Sequence, residues 1–177
     1  ATAVRNVTIS GDGTAAPQRG VSLESATGAI EFTNTTIGNM NNTGFLVTAG
    51  DADVDFYGTI FSDAANNGGV AGRIIDIANT TGGTVNIAFN GPPFGSTVPN
   101  AVTDIDGGGI LIEKNASATE INIGNVSLTD SKNIGIYVFD DKSTINMAQD
   151  AGTGIVKQSS GSAILIEDGS PTFNYQG

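Results

Sequence analysis

Acidic side chains are the first candidates for chemistry in this sequence. Asp53 and Asp55 alternate with apolar neighbours, so on a strand both carboxylates point to one face. Glu31 takes the position equivalent to Asp55 in the preceding copy of a repeat described below. Carboxylate oxygens are ligands that Ca²⁺ prefers, and these side chains therefore predict a Ca²⁺ site. No complete EF-hand pattern accompanies them, and solvated surface charge is the alternative interpretation.

Two other acidic pairs are candidates for metal binding or catalysis. Asp104 and Asp106 lie in a long loop and could bind Ca²⁺, whereas Asp140 and Asp141 are adjacent at a predicted turn. Paired carboxylates can share the acid and base roles of glycoside cleavage, but adjacent aspartates are more typical of a solvated turn. The sequence has neither His nor Cys, which excludes the commonest general base and thiolate metal sites. We predict a chain that is not an enzyme, has no catalytic residue and takes no cofactor other than Ca²⁺.

Repeated strand-like blocks must position these side chains. The first block has six copies, at Val21–Leu23, Phe45–Val47, Ile75–Ile77, Ile110–Ile112, Ile136–Val138 and Ile164–Ile166. The second block follows after a short turn, at Ile30–Phe32, Val54–Phe56, Val85–Ile87, Ile121–Ile123, Ile145–Met147 and Phe173–Tyr175. A weaker third block begins at Val7, Thr35, Thr59, Val126 and Ile155. Repeats with a period of roughly 20 to 50 residues are typical of solenoids.

Three strands and three turns per repeat resemble the coils of the pectin-lyase-like superfamily, and the resemblance covers nearly the whole chain. It predicts an all-β protein, a right-handed parallel β-helix of about six coils with three short strands in each. Stacking pairs each strand with its copies in the neighbouring coils and buries the apolar face that one coil alone exposes. We expect one β-helix domain over residues 1–177, as part of a larger protein, with a long inserted loop at 90–108.

Alternation within the blocks predicts which side chains are buried and which face outward. The expected core includes Ile30, Phe32, Val47, Ile87, Ile112, Ile123, Val138 and Ile166. The outward position of the second block forms a column whose amides can hydrogen-bond from coil to coil: Glu31, Asp55, Asn86, Asn122, Asn146 and Asn174. Outward apolar residues in and beside the first block predict a contact surface for a partner. They are Leu46, Leu111, Tyr137, Phe139 and Leu165.

The net charge limits the partners of the chain. Its 7 basic and 18 acidic residues give a net charge of −11, and such a field repels nucleic acid and anionic membranes. No apolar run approaches the roughly 18 residues of a membrane span. The outward apolar residues and the end coils, which need covering, predict a second copy of the chain or neighbouring coils of the parent protein as partners, with polysaccharide as a further candidate.

The sequence leaves three interpretations of function open. The chain is similar to adhesin-like and autotransporter passenger regions of bacterial surface or secreted proteins, which implies an extracellular or cell-surface scaffold for assembly or surface binding. The alternative is a carbohydrate-binding or polysaccharide-degrading module, although the His and the Arg-x-Lys segment of polygalacturonase-like members are missing. An ice-binding solenoid is the third, because Thr84, Thr144 and Thr172 precede the second block, but Asp53 and Glu120 interrupt that column.

Overall fold

In a computed structural model the chain folds as a parallel β-solenoid. The structure describes residues 1–11, 18–38, 40, 42–60, 73–89, 100–102, 109–124, 126–129, 134–148, 155–157 and 161–176. For residues 59, 89, 100–102, 126–129, 148, 155–157 and 176 it describes the backbone alone. All regular structure in these ranges is β-strand. Within the same ranges we find no helix with the length and hydropathy that a membrane-spanning segment requires.

Short strands rich in β-branched residues recur along the described chain. The first eight are β1 (Thr2–Arg5), β2 (Thr8–Ser10), β3 (Val21–Glu24), β4 (Ala29–Gly38), β5 (Phe45–Thr48), β6 (Asp53–Ile60), β7 (Ile75–Ala78) and β8 (Thr84–Phe89). The others are β9 (Asn100–Val102), β10 (Ile110–Glu113), β11 (Glu120–Gly124), β12 (Val126–Thr129), β13 (Ile136–Asp141), β14 (Thr144–Ala148), β15 (Ile155–Lys157), β16 (Ile164–Gly169) and β17 (Thr172–Gln176).

The strands form three parallel sheets. Sheet A has the order β1-β4-β6-β8-β11-β14-β17, and β2 also pairs with β4. Sheet B has the order β16-β13-β10-β7-β5-β3, and sheet C has the order β15-β12-β9. Each first-block or second-block strand pairs with its copy in the next coil, as the repeat predicts. The structure makes about four turns, fewer than the six coils predicted from the sequence.

The third block divides between two sheets. In the first coils it continues sheet A, where Thr8 pairs with Thr36 beyond a register shift between Thr33 and Thr35. In later coils it forms sheet C, in which β12 pairs with β9 and β15. The three strands of a coil are therefore less uniform than the sequence predicts.

The inserted loop predicted at 90–108 is described only in part. Asn100–Val102 within it form β9, which pairs with β12. The rest of the loop lies outside the described residues, including Asp104 and Asp106, the second pair of candidate Ca²⁺ ligands.

Side chains of sheets A and B fill one continuous core. Six of the eight residues predicted to be buried are buried, namely Phe32, Val47, Ile87, Ile112, Ile123 and Val138. The rings of Phe32 and Phe56 lie against Phe45, with centroids 5.6 and 4.7 Å from its own. Such contacts link residues of neighbouring coils, so the core stabilises the stack as well as each coil.

The other two predictions of burial need correction. Ile30 is half-buried, because its partner in β1 is the small, exposed Thr2. Ile166 is 44% exposed, although it pairs with the buried Val138 and its side chain points inward in the same column. Its strand β16 is the outermost described strand of sheet B, so Val138 covers Ile166 on one side only.

Each described coil turns from sheet B into sheet A through a residue with a left-handed backbone. The six residues have φ between 46° and 56° and are Ser25, Ala49, Asn79, Lys114, Asp140 and Asp168. Residues other than glycine adopt this conformation rarely, so its recurrence at one place marks a fixed corner. We refer to it as the B–A corner. It matches the short, constant turn predicted between the first and second blocks.

Candidate functional site

The predicted Ca²⁺ ligands lie on the outer face of sheet A. Glu31 pairs with Asp55 in adjacent strands, as the sequence predicts, and Asp53 is two residues earlier on the same face. Both aspartates already accept hydrogen bonds from β8. Oδ1 of Asp53 accepts the backbone N–H of Thr84 at 3.0 Å, and Oδ1 of Asp55 accepts Nδ2 of Asn86 at 2.8 Å. The two carboxylates therefore link neighbouring coils.

Glu31 contacts residues of its own and the preceding strand. It accepts the Thr33 hydroxyl at 2.6 Å and lies 3.5 Å from the Arg5 guanidinium. The hydrogen bond from Thr33 lowers the pKa of Glu31; desolvation opposes this effect, and the charge of Arg5 adds to it. Among the described residues, no group of three or more acidic side chains is placed to hold a metal ion. Ca²⁺ binding by Glu31, Asp53 and Asp55 stays a prediction.

The outward asparagines of the second block form a hydrogen-bonded ladder on this face. Each Nδ2 donates to Oδ1 in the preceding coil, from Asn174 to Asn146 at 2.8 Å and from Asn146 to Asn122 at 2.9 Å. Asn122 donates to Asn86 at 2.9 Å, and Asn86 donates to Asp55. We name these five side chains the amide ladder. The outward column predicted from the sequence is confirmed from Asn174 to Asp55.

The amide ladder has a direction because its members differ in hydrogen-bonding capacity. An ionised carboxylate only accepts, so Asp55 receives the Asn86 amide and has no proton to donate to Glu31. This explains why the ladder stops at Asp55, although Glu31 continues the column in register. At the opposite end, Asn174 is exposed and its Oδ1 accepts no hydrogen bond from a described residue.

The apolar residues predicted to contact a partner lie on the outer face of sheet B, where they form an interrupted stripe. Leu46 pairs with Asp76, which pairs with Leu111, so a carboxyl group separates the two leucines. Leu46 is only 7% exposed and offers little surface to a partner. The remaining four are half-buried, namely Leu111, Tyr137, Phe139 and Leu165. Alternation in the first block places Asp76 in the same outward column as these residues, although its carboxyl group breaks the apolar pattern.

Charged groups surround the aromatic part of this face. The rings of Tyr137 and Phe139 lie 5.8 Å apart between centroids. The Arg73 guanidinium is 6.0 Å from the Tyr137 centroid, and the Lys114 amine is 5.8 Å from that of Phe139. The Tyr137 hydroxyl donates to Glu167 at 2.8 Å, and this hydrogen bond raises the pKa of Tyr137. The face is therefore amphipathic.

Asp76 is an acid on the same face whose pKa is raised. Burial raises its pKa, the charge of Glu113 raises it further, and the charges of Arg73 and Arg19 lower it. Oδ1 of Asp76 and Nη1 of Arg73 are both buried without a hydrogen-bond partner. Unpaired buried polar atoms cost free energy, so water or a polar group of a partner that bonded them would stabilise the protein.

Asp140 and Asp141 are adjacent in sequence but lie in different environments. Asp140 is the left-handed residue of its B–A corner and is exposed, whereas Asp141 is fully buried. Asp141 accepts the backbone N–H and the side-chain amide of Asn115, and the backbone N–H and hydroxyl of Ser143. Four donors suit an ionised carboxylate, which only accepts. Asp141 therefore holds two corners together, a role that no sequence motif indicates.

No protein-family model, curated protein or solved structure matches this chain. Its assignment as a parallel β-solenoid rests on the strand pairing itself.

Proposed function

We propose that the chain is a structural and adhesive scaffold segment of an extracellular β-helix protein, where it mediates assembly or surface binding. The observation behind this proposal is the amide ladder. Five outward side chains of consecutive coils bond to each other rather than lying free for a ligand. Coils joined on the outside as well as through the core resist separation, as an extended surface protein requires.

The positions and hydrogen bonds of the carboxylates support the same proposal. A glycosidase needs two carboxyl groups that face one bond at a separation of roughly 5 to 9.5 Å. Asp140 and Asp141 lie on opposite sides of the chain, one exposed and one buried. Asp53 and Asp55 accept hydrogen bonds from the next coil. Asp53, Asp55 and Asp141 bond to neighbouring coils and stabilise the stack, which favours a scaffold over an enzyme.

Assembly is supported by the outermost described strands at one end of the solenoid. Ile166 in β16 and Tyr175 in β17 are 44% and 39% exposed, although their columns are buried in the interior coils. A further strand stacked on each of β16 and β17 would cover these two side chains. Such strands could come from the parent protein or from a second copy. Exposed edge strands of this kind pair readily with other strands.

Sedimentation velocity of the full chain over a range of concentrations tests assembly through this end. We expect a sedimentation coefficient that rises with concentration, and we expect Ile166→Lys or Tyr175→Lys to abolish the rise. Thr172→Lys is the matched control, because Thr172 is an exposed outward residue of β17. A chain that stays monomeric at every concentration would contradict self-assembly through β16 and β17.

A carbohydrate-binding or polysaccharide-degrading module is the second candidate. The pair of Tyr137 and Phe139, with Arg73 and Glu167 beside it, favours binding, since aromatic rings offer apolar faces and charged groups accept or donate hydrogen bonds. Co-sedimentation with polygalacturonate and assay of new reducing ends separate the two functions. The scaffold proposal expects no new reducing ends, and their appearance in proportion to protein concentration would overturn it.

A further inference from the structure

A cleft opens on the B–A corner and is lined by no residue of the amide ladder, although Lys114 on its rim also lies over the Phe139 ring of sheet B. Its volume is about 340 Å³, within the range of sites for small molecules. Asn79, Lys114, Asp140 and Lys142 contribute its exposed rim, and Thr80 and Asn115 are its buried floor. These residues come from three successive coils, so only stacking creates the cleft.

The floor of the cleft is rigid and has no free hydrogen-bonding groups to offer. Asn115 accepts the backbone N–H and the hydroxyl of Thr80 at 2.9 and 2.7 Å, and it donates to the Ile77 carbonyl and to Asp141. The backbone N–H of Lys142 donates to the Asn115 carbonyl at 3.1 Å. A ligand would therefore be recognised by the side chains of the rim, on a backbone that is already fixed.

Two ammonium groups on the rim lack an acidic partner. Arg5 and Arg19 form ion pairs with Glu31 and Glu24, at 3.5 and 3.0 Å. Lys114 and Lys142 form no ion pair or hydrogen bond through their amines with any described residue, although Lys114 lies over the Phe139 ring. Lys114 and Lys142 therefore bring two positive charges to one cleft in a chain of net charge −11. They repel each other unless an anion lies between them.

We infer that this cleft binds a small oxyanion, such as inorganic phosphate, sulfate or a carboxylate, between Lys114 and Lys142. Ammonium groups form charge-assisted hydrogen bonds with such oxygens. The side-chain amide of Asn79, which has no other described partner, adds a neutral donor on the same rim. The Asp140 carboxylate also lines the cleft and weakens its attraction for any anion. This site is independent of the scaffold function proposed above.

Amide chemical shifts of the full chain, titrated with inorganic phosphate, sulfate and acetate at constant ionic strength, test the inference. We expect at least one anion to give saturable shifts at residues 79–81, 114–116 and 140–142. Lys114→Gln combined with Lys142→Gln should weaken binding at least about tenfold, since two charge-assisted hydrogen bonds are lost. Asp140→Asn should strengthen binding, because it removes a repelling charge and keeps a side chain that tolerates a left-handed backbone.

Matched variants distinguish anion binding at this cleft from a general effect of the protein's charge. Arg5→Gln removes one positive charge far from the cleft, in β1, and should leave the affinity unchanged. Lys142→Arg should retain binding. Circular dichroism establishes that each variant is folded. Shifts that do not saturate, shifts spread over the whole chain, or binding that survives loss of both lysines would overturn the assignment.

Discussion

Nδ2 of Asn122 lies 2.9 Å from Oδ1 of Asn86, although the two residues are 36 positions apart in the chain. The other steps of the amide ladder join residues that are 31, 24 and 28 positions apart. The hydrogen-bond geometry is nearly constant while the intervening chain varies in length. The strands and their inward side chains therefore set the register between coils. The loops accommodate the differences in the length of the intervening chain.

Replacement of Asn122 tests the direction of the ladder. Asn122→Ala removes two half-buried hydrogen bonds, each worth roughly 0.5–1.5 kcal/mol, and should lower the free energy of unfolding by about 1–2 kcal/mol. Asn122→Asp should cost more at neutral pH, because a carboxylate has no proton to donate to Asn86. Acid should restore part of that loss, since the protonated form donates again. Urea denaturation at neutral and acidic pH measures both effects. Equal losses at both pH values would contradict a directional ladder.

Asp141 should be far more sensitive to substitution than its neighbour. Asp141→Asn places an NH₂ group against N–H and O–H donors and should destabilise the fold by about 2–3 kcal/mol. Asp140→Asn is the matched control and should change stability by less than about 0.5 kcal/mol, since Asp140 is exposed and Asn tolerates its left-handed φ. Thermal or urea unfolding measures the difference. Similar losses at both positions would argue against the corner network.

Asp76 should make stability depend on pH. Its pKa in the folded state is raised by burial and by Glu113, so the charged form is disfavoured by folding. The protonated group therefore favours the native state below its ordinary pKa of 3.8, and this advantage is lost as pH rises through the higher folded value. We expect Asp76→Asn to raise Tm at neutral pH and to have little effect in strong acid. A lower Tm at neutral pH would show that the Asp76 charge stabilises the fold through Arg73 and Arg19.

Calcium should raise Tm if Glu31, Asp53 and Asp55 bind it, because a ligand that binds only the native state stabilises it. We expect millimolar Ca²⁺ to increase Tm and EDTA to reverse the increase. Asp55→Asn is the informative variant, since an amide oxygen still accepts from Asn86 and keeps the ladder while the charge is lost. An unchanged Tm in the unsubstituted chain would contradict Ca²⁺ binding. The charges of Glu31, Asp53 and Asp55 would then serve only to link coils.

The amino-acid sequence by itself determined the repeat, the pairing partners and the inward or outward position of block residues. Glu31 opposite Asp55 and Asn122 opposite Asn146 follow from aligned copies of one block. This works because a strand has a side-chain period of two, and because apolar residues on one face allow only one register.

Only the tertiary structure decided how each outward or turn residue is used. Leu46 is covered while Leu111 is half-exposed, although both hold the same position in the first block. Asp141 is buried and Asp140 exposed because a left-handed residue interrupts the alternation on which the prediction relied. Side chains at corners and outer faces meet neighbours from coils 24 to 36 residues away, and their burial depends on that three-dimensional stacking rather than on any local pattern.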